Sequence, residues 1–212
     1  MSDDALVLSY YDSVLRQSDV LLLEPPHWIN DRLIGFVFEY ESRRYDYAAF
    51  VAADVAQFIK LSSPNDVTEF MAPLELSSKE VVLIPVNDND DAERSGGVHW
   101  SLLSFIRKTN SFCHYDSLLK LNTEQAQRIA DKLRFCLLPD KPPSFQDVDC
   151  PQQTNSYDCG MYTICFVYYV LHHVLEGNEK SLKEVVRPET VALKRKELKE
   201  LISEISLQYC KQ

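Results

Sequence analysis

Apolar residues recur at helical spacing in three stretches of the chain. Leu33, Phe36, Val37 and Tyr40 mark one face of a helix that Asn30 or Asp31 caps and that runs to about Glu41. Ala126, Ile129, Leu133 and Leu137 stripe a second, with Asn122 at its cap, Gln125 placed for a capping box, and Pro139 to Pro143 ending it. Val191, Leu198, Leu201, Ile202 and Ile205 stripe a third, beginning near Glu189. Ser63 to Leu74 predicts a short helix with a Ser-Pro start. Met161 to Leu175 is apolar on most faces, so it predicts a buried central helix that Gly177 ends.

Other stretches carry strand patterns. Val81 to Val86 is a continuous apolar run, as in a buried strand, and Pro85 places it near an edge. Asn87 to Gly97 is acidic, ends in two glycines and reads as an exposed, mobile loop. His99 to Ile106 and Ser111 to Asp116 read as two strands joined by a tight turn at Arg107 to Asn110. Helices and strands are segregated rather than alternating, so the class is α+β, expected as one domain over residues 1–212.

Composition narrows the picture. With 45% hydrophobic and 25% charged residues, the chain reads as globular rather than disordered. A net charge of −10 argues weakly against nucleic acid as the main partner. The basic cluster Lys194, Arg195, Lys196 and Lys199 interleaves with Glu197, Glu200 and Glu204, which predicts a solvated, salt-bridged face. The acidic start shows no secretory signal, and Val20 to Leu23 is too short for a membrane span. The cysteines at 113, 136, 150, 159, 165 and 210 form no CxxC and no zinc-ligand spacing, so free thiols in a reducing compartment are expected.

The run Pro151 to Met161 holds the candidate chemistry. Cys159 stands just before the central apolar helix, where a helix start favours the thiolate, the reactive form of the thiol. Gln153, six residues upstream, offers an amide able to bind an oxyanion. A nucleophile of this kind needs a base. His172 and His173 lie in the helix beyond Cys159, roughly 20 Å away at ~1.5 Å per residue. His27 sits in a loop with no evident partner. A turn at Arg107 to Asn110 places His99 opposite Leu118 and Ser101 opposite Asp116, so His99 and Asp116 are diagonal neighbours on one sheet face. His114 shares that face, deeper in the sheet. Geometry favours His99 and leaves His114 open.

These residues resemble the sentrin-specific (Ulp-type) cysteine proteases, which process ubiquitin-like modifiers. The motifs are His99-Trp100, Asp116 within His-Tyr-Asp-Ser, Gln153 followed by Cys159-Gly160, and Trp28-Ile29-Asn30-Asp31. Their order and spacing match along essentially the whole chain. Leu8 to Val20, Trp28 to Glu39 and Asn87-Asp88-Asn89 look most like the deneddylases, the branch specific for the Nedd/Rub-type modifier. The spelling Gln152-Gln153-Thr154-Asn155 looks more like the SUMO-specific branch.

The resemblance implies a papain-like fold, with the nucleophile at the start of a central helix packed on an antiparallel-rich sheet. It implies Cys159 as nucleophile, His99 as base, Asp116 as its orienter and Gln153 as oxyanion donor. It also implies that Trp28 and Trp100 enclose a Gly-Gly tail and that Asp31 and the Asn87 region contact the modifier. The expected substrate is a Nedd/Rub-type modifier and its conjugates, cullins among them, cleaved by a monomer in cytoplasm and nucleus without cofactor, metal, nucleic acid or membrane. A SUMO-specific protease and a non-catalytic modifier-binding module are the alternatives; the intact His99, Asp116, Gln153 and Cys159 set argues against the second.

Overall fold

The computed structural model describes residues 4–94, 96–137, 141–177 and 179–209. The chain opens with a hairpin, β1 (Leu6–Tyr10) and β2 (Ser13–Arg16), and a short helix, α1 (Gln17–Leu21). Helix α2 (Asp31–Ser42), strand β3 (Ala48–Phe50) and helices α3 (Ala53–Leu61) and α4 (Pro64–Met71) follow. Next come β4 (Val81–Asn87), β5 (Trp100–Ile106), β6 (Ser111–Tyr115), α5 (Thr123–Leu137) and β7 (Ser144–Asp147). Helix α6 (Cys159–Tyr169) runs on into a π-helical turn, Val170–Leu175, before α7 (Leu182–Val185) and α8 (Pro188–Tyr209).

The main sheet has the order β3-β4-β5-β6-β7. Its centre, β4-β5-β6, is antiparallel, and β3 and β7 join its two edges in parallel. Alternation along the strands divides the interior into two cores. Val81, Leu83, Leu102 and Cys113 pack with α2, α6, α8 and the opening hairpin. Val82, Ile84, Val86, Leu103, Phe105 and Phe112 pack with α3, α4 and α5. Both faces are covered, which is why β4 is apolar at consecutive positions rather than alternating.

The β5–β6 register is the expected one: Leu102 pairs with Tyr115 and Leu103 with His114. A one-residue slip would exchange the two cores' side chains, so packing on both faces holds it. Pro85, expected near a sheet edge, lies in the strand next to the edge strand β3 and beyond the end of their pairing at Leu83. The Leu83 carbonyl accepts from Val51 N–H, so Leu83 and Pro85 direct their backbone polar groups toward β3. Strand β3 has ended by then, so the missing proline N–H costs no ladder bond.

Caps confirm some boundaries and correct others. Asn30 Oδ1 accepts from Leu33 N–H at 3.1 Å and starts α2, and Ser63 caps α4 with Pro64 at its first position. The capping box expected at Asn122 and Gln125 does not form: Asn122 Oδ1 and Gln125 Oε1 are buried and have no partner among the described residues. The stop expected from Pro139 lies outside the described residues, as does Cys210. Helix α6 begins at Cys159 itself and is buried from there through Val167. Gly177, beyond the π-helical turn, has the left-handed φ of +73° expected of a terminator.

Candidate active site

The ends of β5 and β6 and the start of α6 converge on three side chains. Asp116 follows β6, His99 precedes β5, and Cys159 is the first residue of α6. Nε2 of His99 lies 2.7 Å from Oδ1 of Asp116, with each side chain 1% exposed. That contact leaves Nδ1 as the ring nitrogen open to the Cys159 sulfur; it makes no hydrogen bond of full geometry among the described residues. Burial alone would lower the His99 pKa; the hydrogen bond to Asp116 and the nearby Cys159 sulfur outweigh it and raise the value to about 9. For Asp116, burial pushes the other way. Bonds from His99 and from the N–H groups of Asn122 and Leu118 prevail and hold its carboxyl below the usual range.

His114, the competing histidine, is buried on the same face but is engaged on both ring nitrogens. Nδ1 meets Asp147 at 2.7 Å and Nε2 meets Ser101 Oγ at 2.9 Å. Ser101 Oγ accepts from Asn122 Nδ2 at 3.1 Å, so its own proton is free to point at His114. Asn122 Nδ2 also donates to the carbonyls of Val86 and His99, and its backbone N–H donates to Asp116 Oδ2 at 2.9 Å. Read from sequence as a helix cap, Asn122 is a bracket between the His99 strand and the Asp116 carboxylate. An asparagine beside a helix start carries no mark that separates the two uses.

Gln153 is held from two sides. Ser117 Oγ donates to its Oε1 at 2.9 Å, and its backbone N–H donates to the Ser117 carbonyl at 2.9 Å. With Oε1 occupied, Nε2 is the end left to donate; one of its protons goes to Asn155 O at 2.8 Å and the other has no partner among the described residues. Ser117, which sequence reasoning did not single out, thus fixes the orientation of the Gln153 amide.

On another flank lies a groove of about 410 Å³, lined by Trp28, Asp31, Asn87, Gly97 and Trp100 among others. Trp28 is 45% exposed, as a wall rather than a core residue is. Gly160 admits the closeness of this wall: a Cβ there would stand 2.4 Å from Ile29 Cγ1 and 3.4 Å from Trp100 Cδ1. Asp31 opens α2 at the groove's rim. Asn87 is committed internally: Nδ2 donates to His99 O and Oδ1 accepts from Asn89 N–H.

The loop after Asn87, read from sequence as loose, is tethered at both ends. Asp88 Oδ1 accepts from Val98 and His99 N–H, and the buried Lys60 donates to the carbonyls of Asn87 and Asn89. Gly97 has φ +93°, and a side chain there would collide with Asn87 Oδ1. Ser95 lies outside the described residues.

The expectation of a solvated face at Lys194 to Lys199 fails at Arg195. Lys194 and Lys196 pair with Glu197 and Glu200, as a salt-bridged surface would. Arg195 is buried. Its guanidinium donates to Asp158 Oδ1 at 2.8 Å and to the carbonyls of Leu22, His27 and Tyr157. The first two belong to the segment before Trp28 and the third to the turn before Cys159. Alternating Lys, Arg and Glu hides such an anchor, because the periodicity of charges is that of any exposed helix.

A buried thiol at a helix start, beside a histidine–carboxylate pair on a covering sheet, is the arrangement of a cysteine-type peptidase, and the family match shows that class. The chain belongs to the Ulp1 protease family, whose C-terminal catalytic domain matches residues 28–209. It is 41% identical to human sentrin-specific protease 8 over 210 residues, 96% of this chain and 99% of that one. It is 33% identical to NEDD8-specific protease 1 of Arabidopsis thaliana, over 87% of this chain and 83% of that one. Among solved structures, the C-terminal Ulp1 protease domain in complex with Smt3, the yeast orthologue of SUMO, superposes with a TM-score of 0.78. That match spans 98% of this chain and 90% of the other at 19% identity, and shows the shared fold.

Proposed function

We propose that the chain is a deneddylase, cleaving after the C-terminal Gly-Gly of a Nedd/Rub-type modifier. The buried His99–Asp116 pair beside Cys159 carries the chemistry. Similarity to a relative named for NEDD8, the Arabidopsis thaliana NEDD8-specific protease 1, supports the choice of modifier. Cys159 Sγ attacks the carbonyl carbon of the terminal glycine, and the developing oxyanion takes hydrogen bonds from Gln153 Nε2 and the Cys159 N–H. That N–H is an orphan donor of the first helical turn. As the C–N bond breaks, His99 delivers its proton to the leaving amine. Water, deprotonated by His99, then hydrolyses the thioester and restores the thiol. Trp28 and Trp100, which both line the groove, flank the tail, and glycines without side chains suit a path between two aromatic walls.

The test is intact-mass analysis after incubation with Nedd-type, SUMO-type and ubiquitin probes carrying a C-terminal electrophile. The expected result is one adduct with the Nedd-type probe, lost in Cys159→Ala. Adducts only with the SUMO-type probe, or labelling at Cys113 or Cys150, overturn the proposal.

A further inference from the structure

The six residues after Asp116 form a loop that is rigidly held yet displays leucines. Leu118 is 36% exposed, Leu119 85% and Leu121 53%, and Leu119 is the most exposed large apolar residue among those described. Single exposed leucines are ordinary, but three within four positions concentrate exposed apolar side chains on one short loop. The backbone is strained to present it: Leu119 and Lys120 have φ of +48° and +62°, a left-handed conformation that side chains disfavour.

What holds the loop is the active site. Leu118 N–H donates to Asp116 Oδ1 at 2.8 Å, and Asn122 N–H donates to Asp116 Oδ2, so both ends are tied to the carboxylate that orients His99. Leu119 N–H donates to Gln152 Oε1 at 2.6 Å, and Ser117 holds Gln153. The leucines therefore border the Gln152–Gln153 flank of Cys159. The groove lined by Trp28 and Trp100 lies against Gly160 on the Ile29 flank. A modifier tail that reaches Cys159 along that groove leaves the other flank to the amine-bearing side of the scissile bond.

We propose that Leu118, Leu119 and Leu121 form a docking surface for the acceptor half of a conjugate, taking an apolar segment beside the modified lysine. The inference rests on the deneddylase reading. It names a specificity device on the leaving side, where the chemistry itself requires only an amine. A partner seated there touches a loop whose backbone donates to Asp116 at both ends.

The test compares two substrates with the wild type and the double variant Leu119→Asn/Leu121→Ser. Asparagine is chosen because it tolerates the left-handed φ. The first substrate is the Nedd-type modifier with a C-terminal coumarin amide, which has no acceptor protein. The second is the same modifier isopeptide-linked to a lysine peptide with apolar flanks, alongside a peptide with polar flanks. Coumarin release is expected to stay within about twofold, which also shows that the variant is folded, while KM for the apolar-flanked conjugate rises about tenfold. Equal loss on both substrates, or a wild type indifferent to the flanks, overturns the proposal. A concentration-dependent dimer lost in the variant assigns the patch to a second copy and overturns it too. Failure of the wild type to release coumarin at all overturns the deneddylase reading, and this inference with it.

Discussion

The guanidinium of Arg195, on the last helix, donates from Nε to Asp158 Oδ1 at 2.8 Å, gripping the residue that precedes Cys159. The same group donates to the carbonyl of His27, the residue that precedes Trp28. One side chain thus sets the spacing between the proposed nucleophile and one wall of the groove. Arg195→Met leaves the largely buried Asp158 carboxylate unpaired and is expected to cost about 3–5 kcal/mol in urea unfolding. Arg195→Lys keeps a charge but cannot reproduce the fork that reaches four oxygens. It is expected to fold and to react normally with a small haloacetamide at Cys159, while reacting at least about tenfold more slowly with a Gly-Gly-tailed probe. Equal slowing toward both reagents would reduce Arg195 to a general stabiliser.

The His99–Asp116 pair predicts a pH profile. In the proposed mechanism the protonated imidazole faces the sulfur and protonates the leaving amine, so kcat/KM is expected to fall as pH rises through about 9. Asp116→Asn removes the strongest cause raising His99, and the alkaline limb moves toward 6.5, the ordinary imidazole value, with kcat lower on the order of 100-fold. The folded-state value lies above 6.5. The pair therefore stabilises the fold fully below pH 6.5, and that contribution is lost as pH rises through about 9. Initial rates and urea midpoints from pH 6 to 10 read both; an unmoved limb in the variant counts against His99 as its source.

Gln153 and Ser117 are separable. Gln153→Ala removes an oxyanion donor and is expected to lower kcat by about 10²–10³. Ser117→Ala leaves the amide in place but frees it to turn, and the lost hydrogen bond is worth ~1 kcal/mol, about fivefold in kcat. In both variants KM for a coumarin substrate should change far less than kcat. A Ser117→Ala enzyme as slow as Gln153→Ala would mean that Ser117 does more than aim the glutamine.

Gly160→Ala tests the wall. Ile29 Cγ1 stands 2.4 Å from where the new methyl would sit, so Ile29 must shift, and Trp28 with it. The expected outcome is slower labelling by a Gly-Gly-tailed probe together with a stability loss of about 1–3 kcal/mol, and Ile29→Ala/Gly160→Ala, which removes Cγ1, should recover part of the lost labelling.

Sequence pattern reached the hairpin and the His99–Asp116 pair because register is set by side-chain alternation and turn length, both written in the residues between 99 and 116. It missed β3 and β7 because these parallel edge strands span only three and four residues, too few for a period to show. Arg195 was hidden for another reason: its burial depends on loops 170 residues away in the chain, which local charge patterning does not record. The geometry of Cys159 and Gln153 became readable only with the contacts of Ser117 and Gly160, neighbours whose roles lie in where they pack.

Asn122 offers the sharpest test of the buried polar layer. Its Nδ2 serves the Val86 and His99 carbonyls and Ser101 Oγ, whereas its Oδ1 accepts nothing among the described residues. The donor end therefore carries the function. Asn122→Ala strips hydrogen bonds from buried acceptors and is expected to destabilise by about 1–3 kcal/mol. Asn122→Asp keeps the shape but turns the donor end into a second acceptor and buries a charge near Asp116. It should be more destabilising than alanine at pH 8, and the gap should narrow as acid protonates the new carboxyl. A cap would rank these variants the other way, since aspartate caps helices at least as well as asparagine and alanine does not. Urea midpoints for the two variants at pH 5 and pH 8 decide between cap and bracket.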